Sequence, residues 1–159
     1  MTDSTVTFDP YARLSELGHE LVSAKMRADW FEKAHQVGDL LFVSGAVAMK
    51  DGKPLFSGRI GEEVTEEQGV LCAAQAMVNL LSYVHDATGD LRQWRPVKIN
   101  VYGAAAPDFV PLGNVATGAS QLLVDVFGPV FGAHARTTVS MPNTANGAPV
   151  EVEAVFQRR

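Results

Sequence analysis

The sequence predicts a single α+β domain in which one β-sheet carries two helices on one face. Three observations lead there. Two stretches, after Thr65 and after Pro111, repeat apolar residues at helical spacing. The stretches before, between and after them alternate apolar with polar residues or concentrate β-branched ones. No internal repeat or linker-like tract divides the 159 residues, a length that one domain accounts for.

Residues 1–9 read as a loose tail. Pro10 opens and Gly18 closes a short helix over 10–18, with Leu14 and Leu17 on one face. Trp30–Val37 and Leu40–Ala46 read as strands on either side of a Gly38–Asp39 turn. The tract KDGKPLFSGRIG is a polar, glycine-rich excursion centred on Asp51–Gly52. Thr65 and Gln68 have the spacing of a capping box, and Glu66 and Glu67 favour the positive end of a helix dipole. Val70, Ala73, Ala74, Met77, Leu80, Leu81 and Val84 then form the apolar stripe of a long helix that stops at Gly89.

Val97, Ile99 and Val101 alternate with Lys98, Asn100 and Tyr102, the period of a strand. The second helix starts near Pro111, continues through Leu112, Val115, Ala119, Leu122, Leu123 and Val126, and ends at Gly128–Pro129. His134–Met141 and Val150–Gln157 are closing strands joined by the turn-rich PNTANGAP. One feature of LLFVSG, at 40–45, bears on assembly. It is apolar at consecutive positions, so both faces of that strand require burial, and two helices cover only one. A second copy of the chain in a closed cyclic oligomer covers the other, unless a loop or the N-terminal segment does.

Composition narrows the chemistry. Hydrophobic residues make up 47% and charged residues 19%, which places the chain among ordinary globular proteins. A net charge of −5 with scattered Lys and Arg leaves no visible nucleic-acid footprint. Cys72 is the single cysteine and lies in an apolar helical run, where a buried, inert thiol is expected. The N-terminal residues lack a signal-peptide pattern and no apolar run is long enough to span a bilayer, so the expected setting is cytoplasmic and without a membrane partner. His19, His35, His85 and His134 fall in four separate segments without metal-ligand spacing, and no metal is expected. Phosphate-loop, dinucleotide and nucleophile-elbow motifs are absent.

The remaining chemistry lies in the two closing strands. Arg136, in GAHARTTV, heads one of them, and Glu151 lies fifteen residues on in the next. A guanidinium offers two parallel N–H donors that match a carboxylate in its plane. The two strands are expected to bring Arg136 and Glu151 near each other, either as a plain salt bridge at a sheet edge or as parts of a site.

Several stretches taken together resemble the Rid family, the reactive intermediate deaminases, also called YjgF-like or endoribonuclease L-PSP-like. They are VGDLLFVSGA (37–46), GRIGEEVTEEQ (58–68), GDLRQWRPVKINVYG (89–103), GASQLLVDVFG (118–128) and GAHARTTVSMP with PVEVEA (132–154). The likeness is greatest to the longer branch with HAR before the strand. It implies a chorismate-mutase-like, YjgF-like α+β fold, a homotrimer with pockets between subunits, and no cofactor. It also implies that Arg136 holds the carboxylate of a 2-imino or 2-aminoacrylate acid, that Glu151 helps water attack the imine carbon, and that Ser44 lines the pocket. Phe31, Thr117, His134 and Thr138 complete the expected substrate-binding set.

Two of these depart from the family pattern, since Phe31 stands for a tyrosine and Thr117 for an asparagine. A phenylalanine removes a donor and an acceptor from the pocket. The departures leave open a non-catalytic trimer that binds a carboxylated metabolite. They also leave open an enzyme for a bulkier, aromatic-derived imine, for which Trp30 and Phe31 suit an apolar substrate. The ribonuclease activity in the family's older name finds little support in an acidic chain.

Overall fold

The computed structural model describes residues 8–23 and 30–159, so most of the expected tail over 1–9 lies outside the described residues. Asp9 caps helix α1 (Pro10–Glu16) by accepting the Tyr11 N–H at 3.0 Å. Strands β1 (Ala34–Val37) and β2 (Leu40–Val47) form the expected hairpin, with Val37 opposite Leu40. Gly38, at φ 59°, supplies the positive φ that the first central position of a type II′ turn needs. β1 starts at Ala34, short of the Trp30 read from the sequence. Pairing stops there because β2 bulges at Ser44–Gly45, after one last bond from the Ser44 N–H to the Lys33 carbonyl at 2.8 Å.

The excursion around Asp51–Gly52 contains a small hairpin, β3 (Met49–Lys50) and β4 (Lys53–Pro54). Helix α2 (Glu66–Thr88) has the full capping box: the Gln68 N–H reaches Thr65 Oγ1 at 3.2 Å and the Thr65 N–H reaches Gln68 Oε1 at 2.9 Å. A 3₁₀ turn (Leu91–Gln93) leads into β5 (Trp94–Ala104). Helix α3 (Leu112–Phe131) loses helical geometry at Gly128 (φ 81°, ψ 165°), the predicted end, and adds one further turn beyond it. Strands β6 (Ala135–Met141) and β7 (Val150–Arg158) close the chain, with a 3₁₀ turn (Ala145–Gly147) between them.

The five-stranded sheet has the order β1-β2-β7-β5-β6, mixed because β5 and β6 run parallel while the other neighbours are antiparallel. A parallel pair needs a crossover, and α3 provides it between β5 and β6. Alternation along each strand sends Leu41 and Val43 of β2, Ile99 and Val101 of β5, and Val150, Val152 and Phe156 of β7 towards the helices. There they meet Met77, Leu80, Leu81 and Val84 of α2 and Val115, Leu123 and Val126 of α3 in one core.

The opposite sheet face is not covered by the described residues. Leu41 is 2% exposed, but its neighbours Leu40 and Phe42 are 38% and 47% exposed, and Val139 and Met141 of β6 are likewise exposed. The described residues after α1 do not lie there: the Val22 N–H bonds Ser82 Oγ at 3.2 Å, which holds residues 19–23 against α2. Among the described residues no helix is long and apolar enough to cross a membrane.

The two helices touch backbone to backbone at Gly118 of α3, where a Cβ would lie 2.1 Å from the Val70 carbonyl oxygen. Backbone cannot step aside as a side chain would, so Gly118→Ala is expected to push the helices apart at a cost of about 3 kcal/mol. Urea unfolding should show a lower midpoint at an unchanged slope.

Candidate functional site

Arg136 sits on β6 opposite Ile99 of β5, so its side chain leaves the sheet on the helix side, at the edge. Its Nη1 donates to Ser120 Oγ at 3.2 Å and its Nη2 makes a long contact, 3.4 Å, to the Gly113 carbonyl, both acceptors on α3. Among the described residues Arg136 makes no ion pair, and both of these partners are neutral. Gly113, Thr117 and Ser120 fall at i, i+4 and i+7, one stripe of the helix, so Thr117 faces the same cleft. The Thr117 hydroxyl is taken by the Asn114 carbonyl. Thr138, two residues beyond Arg136, shares its face of β6. His134 closes the cleft: Nε2 is 2.9 Å from Ser120 Oγ and Nδ1 is 2.7 Å from the Gly132 carbonyl.

Glu151 lies elsewhere. The sequence reading expects the two closing strands to bring it near Arg136, and the sheet order corrects this. β5 is inserted between β6 and β7, and Glu151 pairs with Tyr102 while Arg136 pairs with Ile99, three residues along β5. The alternation of β7 places Glu151 on the open face, opposite to the helix side that Arg136 takes. Arg136 and Glu151 of one chain therefore form neither a salt bridge nor a common pocket. The physical cause is the α3 crossover, which puts β6 parallel beside β5 and leaves β7 to enter on the other side.

On the open face two glutamates have different surroundings. Glu153 accepts from Asn100 Nδ2 at 2.6 Å and from the Tyr102 hydroxyl at 2.9 Å. Burial pushes the Tyr102 phenol above its ordinary pKa, and the hydrogen bond to Glu153 with its charge adds to this. Glu151 has no hydrogen bond or ion pair among the described residues. Its carboxylate lies over the β2 bulge, where a Cβ on Gly45 would come within 2.3 Å of Oε1. Only glycine leaves that carboxylate its place.

Ser44, beside Gly45, donates its hydroxyl to the Glu32 carbonyl at 2.6 Å and so ties residues 31–33 to the bulge. Phe31 is 41% exposed and packs on Trp30, ring centres 5.4 Å apart. The expected site residues thus separate into two groups. Arg136, Thr117, Thr138 and His134 surround the α3–β6 cleft, while Ser44, Glu151 and the Phe31 segment gather at the bulge. Ser120 and Gly113 were not singled out from the sequence. The available signal was a hydroxyl in an otherwise small and apolar helix run, one turn after Thr117.

Two clefts of about 470 and 530 Å³ flank the segment after α1 and contain none of these residues. Cys72 is buried as expected, and burial pushes its thiol up to about 11, far from a reactive thiolate.

No protein-family model matches the chain. It is 35% identical over 147 residues, 92% of each chain, to Protein TCP17 of Trypanosoma cruzi. The solved structure of Atu1372 from Agrobacterium tumefaciens, of unknown function, is 33% identical, with 94% of this chain and 92% of that one aligned at a TM-score of 0.85. A candidate endoribonuclease from Shewanella oneidensis is 24% identical over 94% and 99% of the two chains, with a TM-score of 0.88, and shares the fold. The fold extends to YyfA of Yersinia pestis, a Rid-family protein of unknown function, at 17% identity over 86% and 96% of the chains and a TM-score of 0.58.

The Phe31 segment is held to α2 through Asp86, which accepts from Lys33 Nζ and, at 2.8 Å, from Ser23 Oγ. Burial opposes ionisation of Asp86, but the hydrogen bonds from Lys33 and Ser23 outweigh it and hold the carboxyl below its ordinary value. A depressed carboxylate stabilises the fold above its unfolded pKa, and this contribution is lost as pH falls through the folded value. At pH 7, Asp86→Asn should cost about 1–2 kcal/mol. The gap in melting temperature to wild type should close as the pH is lowered below about 4.

Proposed function

Because the chain belongs to the YjgF/L-PSP/Rid family, we propose that it hydrolyses a reactive imine or enamine acid to the 2-oxo acid and ammonia, in a pocket shared by two copies of the chain. The observation that carries this reading is Arg136: an exposed guanidinium fork at the edge of the sheet, contacted by neutral oxygens alone among the described residues. A carboxylate is the ligand that fork geometry suits best.

Held by its carboxylate, a 2-imino acid presents its electrophilic carbon at a fixed place, and attack by water becomes a positioned event. Glu151 of the neighbouring copy takes a proton from the attacking water, and the carbon–oxygen bond forms. That proton passes to nitrogen to give a carbinolamine, and the hydroxyl proton follows it through the same carboxylate as the carbon–nitrogen bond breaks, the carbonyl forms and ammonia leaves; such general acid–base help is worth about 10² to 10⁴ in rate. Support for two copies comes from the separation of Arg136 and Glu151 within one chain. It comes also from the exposed Leu40, Phe42, Val139 and Met141 on the face that bears Glu151. A cyclic homotrimer covers that face in every copy and repeats the pocket at each interface. Phe31, beside the bulge, gives the pocket an apolar wall in keeping with a substrate larger than 2-aminoacrylate.

The test is ammonia release from 2-aminoacrylate, generated in place by a lyase, and from 2-imino acids with larger side chains. Arg136→Ala should lower kcat/KM by about 100-fold or more with an unchanged melting temperature. Glu151→Gln should lower kcat by a factor in the range given for general acid–base catalysis. Co-refolding the two inactive variants should restore about a quarter of the wild-type activity, because random assembly rebuilds intact pockets from one Arg136 and another chain's Glu151. No recovery on mixing would return the site to a single chain. Thermal stabilisation by 2-oxo acids without turnover would make the protein a carboxylate binder.

A further inference from the structure

We infer that Ser120 and His134 are positioning residues for Arg136, a one-way hydrogen-bond chain that fixes the guanidinium in its carboxylate-receiving orientation. The inference rests on the carboxylate-binding reading of Arg136 and adds two residues that act through it.

The polarity of the chain follows from donor chemistry. The Gly132 carbonyl can only accept, so His134 Nδ1, 2.7 Å away, carries the proton. In the neutral ring Nε2 is then an acceptor, and the Ser120 hydroxyl at 2.9 Å donates its single hydrogen to it. Ser120 Oγ is left with lone pairs only, and one of them receives Arg136 Nη1 at 3.2 Å. Arg136 donates to Ser120, Ser120 to His134, and His134 to backbone, with each bond polarising the next.

The chain ends on rigid structure. The Gly132 N–H bonds the Gly128 carbonyl at 2.7 Å, and a Cβ on Gly132 would meet the Leu123 carbonyl oxygen at 2.5 Å, so its backbone is packed against α3. A long side chain on an edge strand is otherwise free to swing, and holding it before the ligand arrives removes an entropy cost from binding. Serine at 120 without a histidine at 134 could turn its hydroxyl towards solvent, and histidine without the serine would not reach Arg136.

The probe is 2-oxobutanoate, with its dissociation constant measured by calorimetry for variants whose melting temperatures match wild type. Ser120→Ala and His134→Ala should each weaken binding about 10-fold. The double variant should be no weaker than either single one, the non-additivity of residues acting in one chain. Ser120→Thr, which keeps the hydroxyl, and His134→Gln, which keeps an acceptor near the Nε2 position, should recover most of the affinity. Wild-type affinity in Ser120→Ala, or additive losses in the double variant, would overturn the chain while leaving Arg136 as the carboxylate fork if Arg136→Ala still abolishes binding. Equal and negligible binding by wild type and Arg136→Ala would remove both readings together.

Discussion

The structure depends on the position of β7, the last strand in sequence and the middle strand in space. It pairs with β2 on one side and β5 on the other, and Val150, Val152 and Phe156 take its inner face into the core. Two strand–helix–strand crossovers, β2–α2–β5 and β5–α3–β6, lie to either side of that choice. The first leaves a gap between β2 and β5 that β7 fills, and the second carries β6 outward to the edge. Once β7 fills the gap, residues Arg136 and Glu151 belong to strands that never touch. The alternation of each strand then sends them to opposite faces.

This separation gives each face its own chemistry. The helix side of β6 offers a guanidinium met by a hydroxyl and a carbonyl, and the open face offers a carboxylate, Glu151, beside a second one that is already held by Asn100 and Tyr102. An opposite charge in the same chain would neutralise either group and leave it less able to bind. Keeping them apart keeps both available to a ligand or to a second copy. The apolar residues on the face that bears Glu151 would supply the driving force for the proposed contact with a second copy, since exposed Leu40, Phe42, Val139 and Met141 would gain by leaving water.

Much of this is legible in the sequence where local chemistry decides. The capping box at Thr65, the break at Gly128, the hairpin at Gly38 and the doubly apolar β2 each follow from residues within a few positions of one another. Which strands neighbour one another is a different matter. The alternation of β6 and of β7 says which residues share a face within each strand, but not that β5 lies between them. The parallel crossover was the signal: strand, helix and strand in succession favour β5 and β6 as neighbours. The bulge at Ser44–Gly45 was also hidden, because an unpaired residue shows only when the partner strand is known. Glu151 was found as a residue, and its place followed only from the register.

The two departures from the family pattern have a common physical consequence. Phe31 has no hydroxyl to offer, and Thr117 has one that is already taken by the Asn114 carbonyl one helical turn back. Phe31 makes no hydrogen bond through its side chain and Thr117 Oγ1 keeps only acceptor lone pairs, so neither donates to a polar ligand as the tyrosine and asparagine of the family pattern could. Beside the Thr138 hydroxyl, the polar groups that remain in the α3–β6 cleft are those of Ser120, His134 and Arg136, linked to one another by hydrogen bonds. A pocket with fewer independent donors depends more heavily on the aim of the one it keeps. In the proposed pocket, an apolar wall at Phe31 and a tightly held Arg136 would be two sides of the same adaptation: the carboxylate end of the ligand would be fixed firmly, and the other end selected by shape and apolar contact.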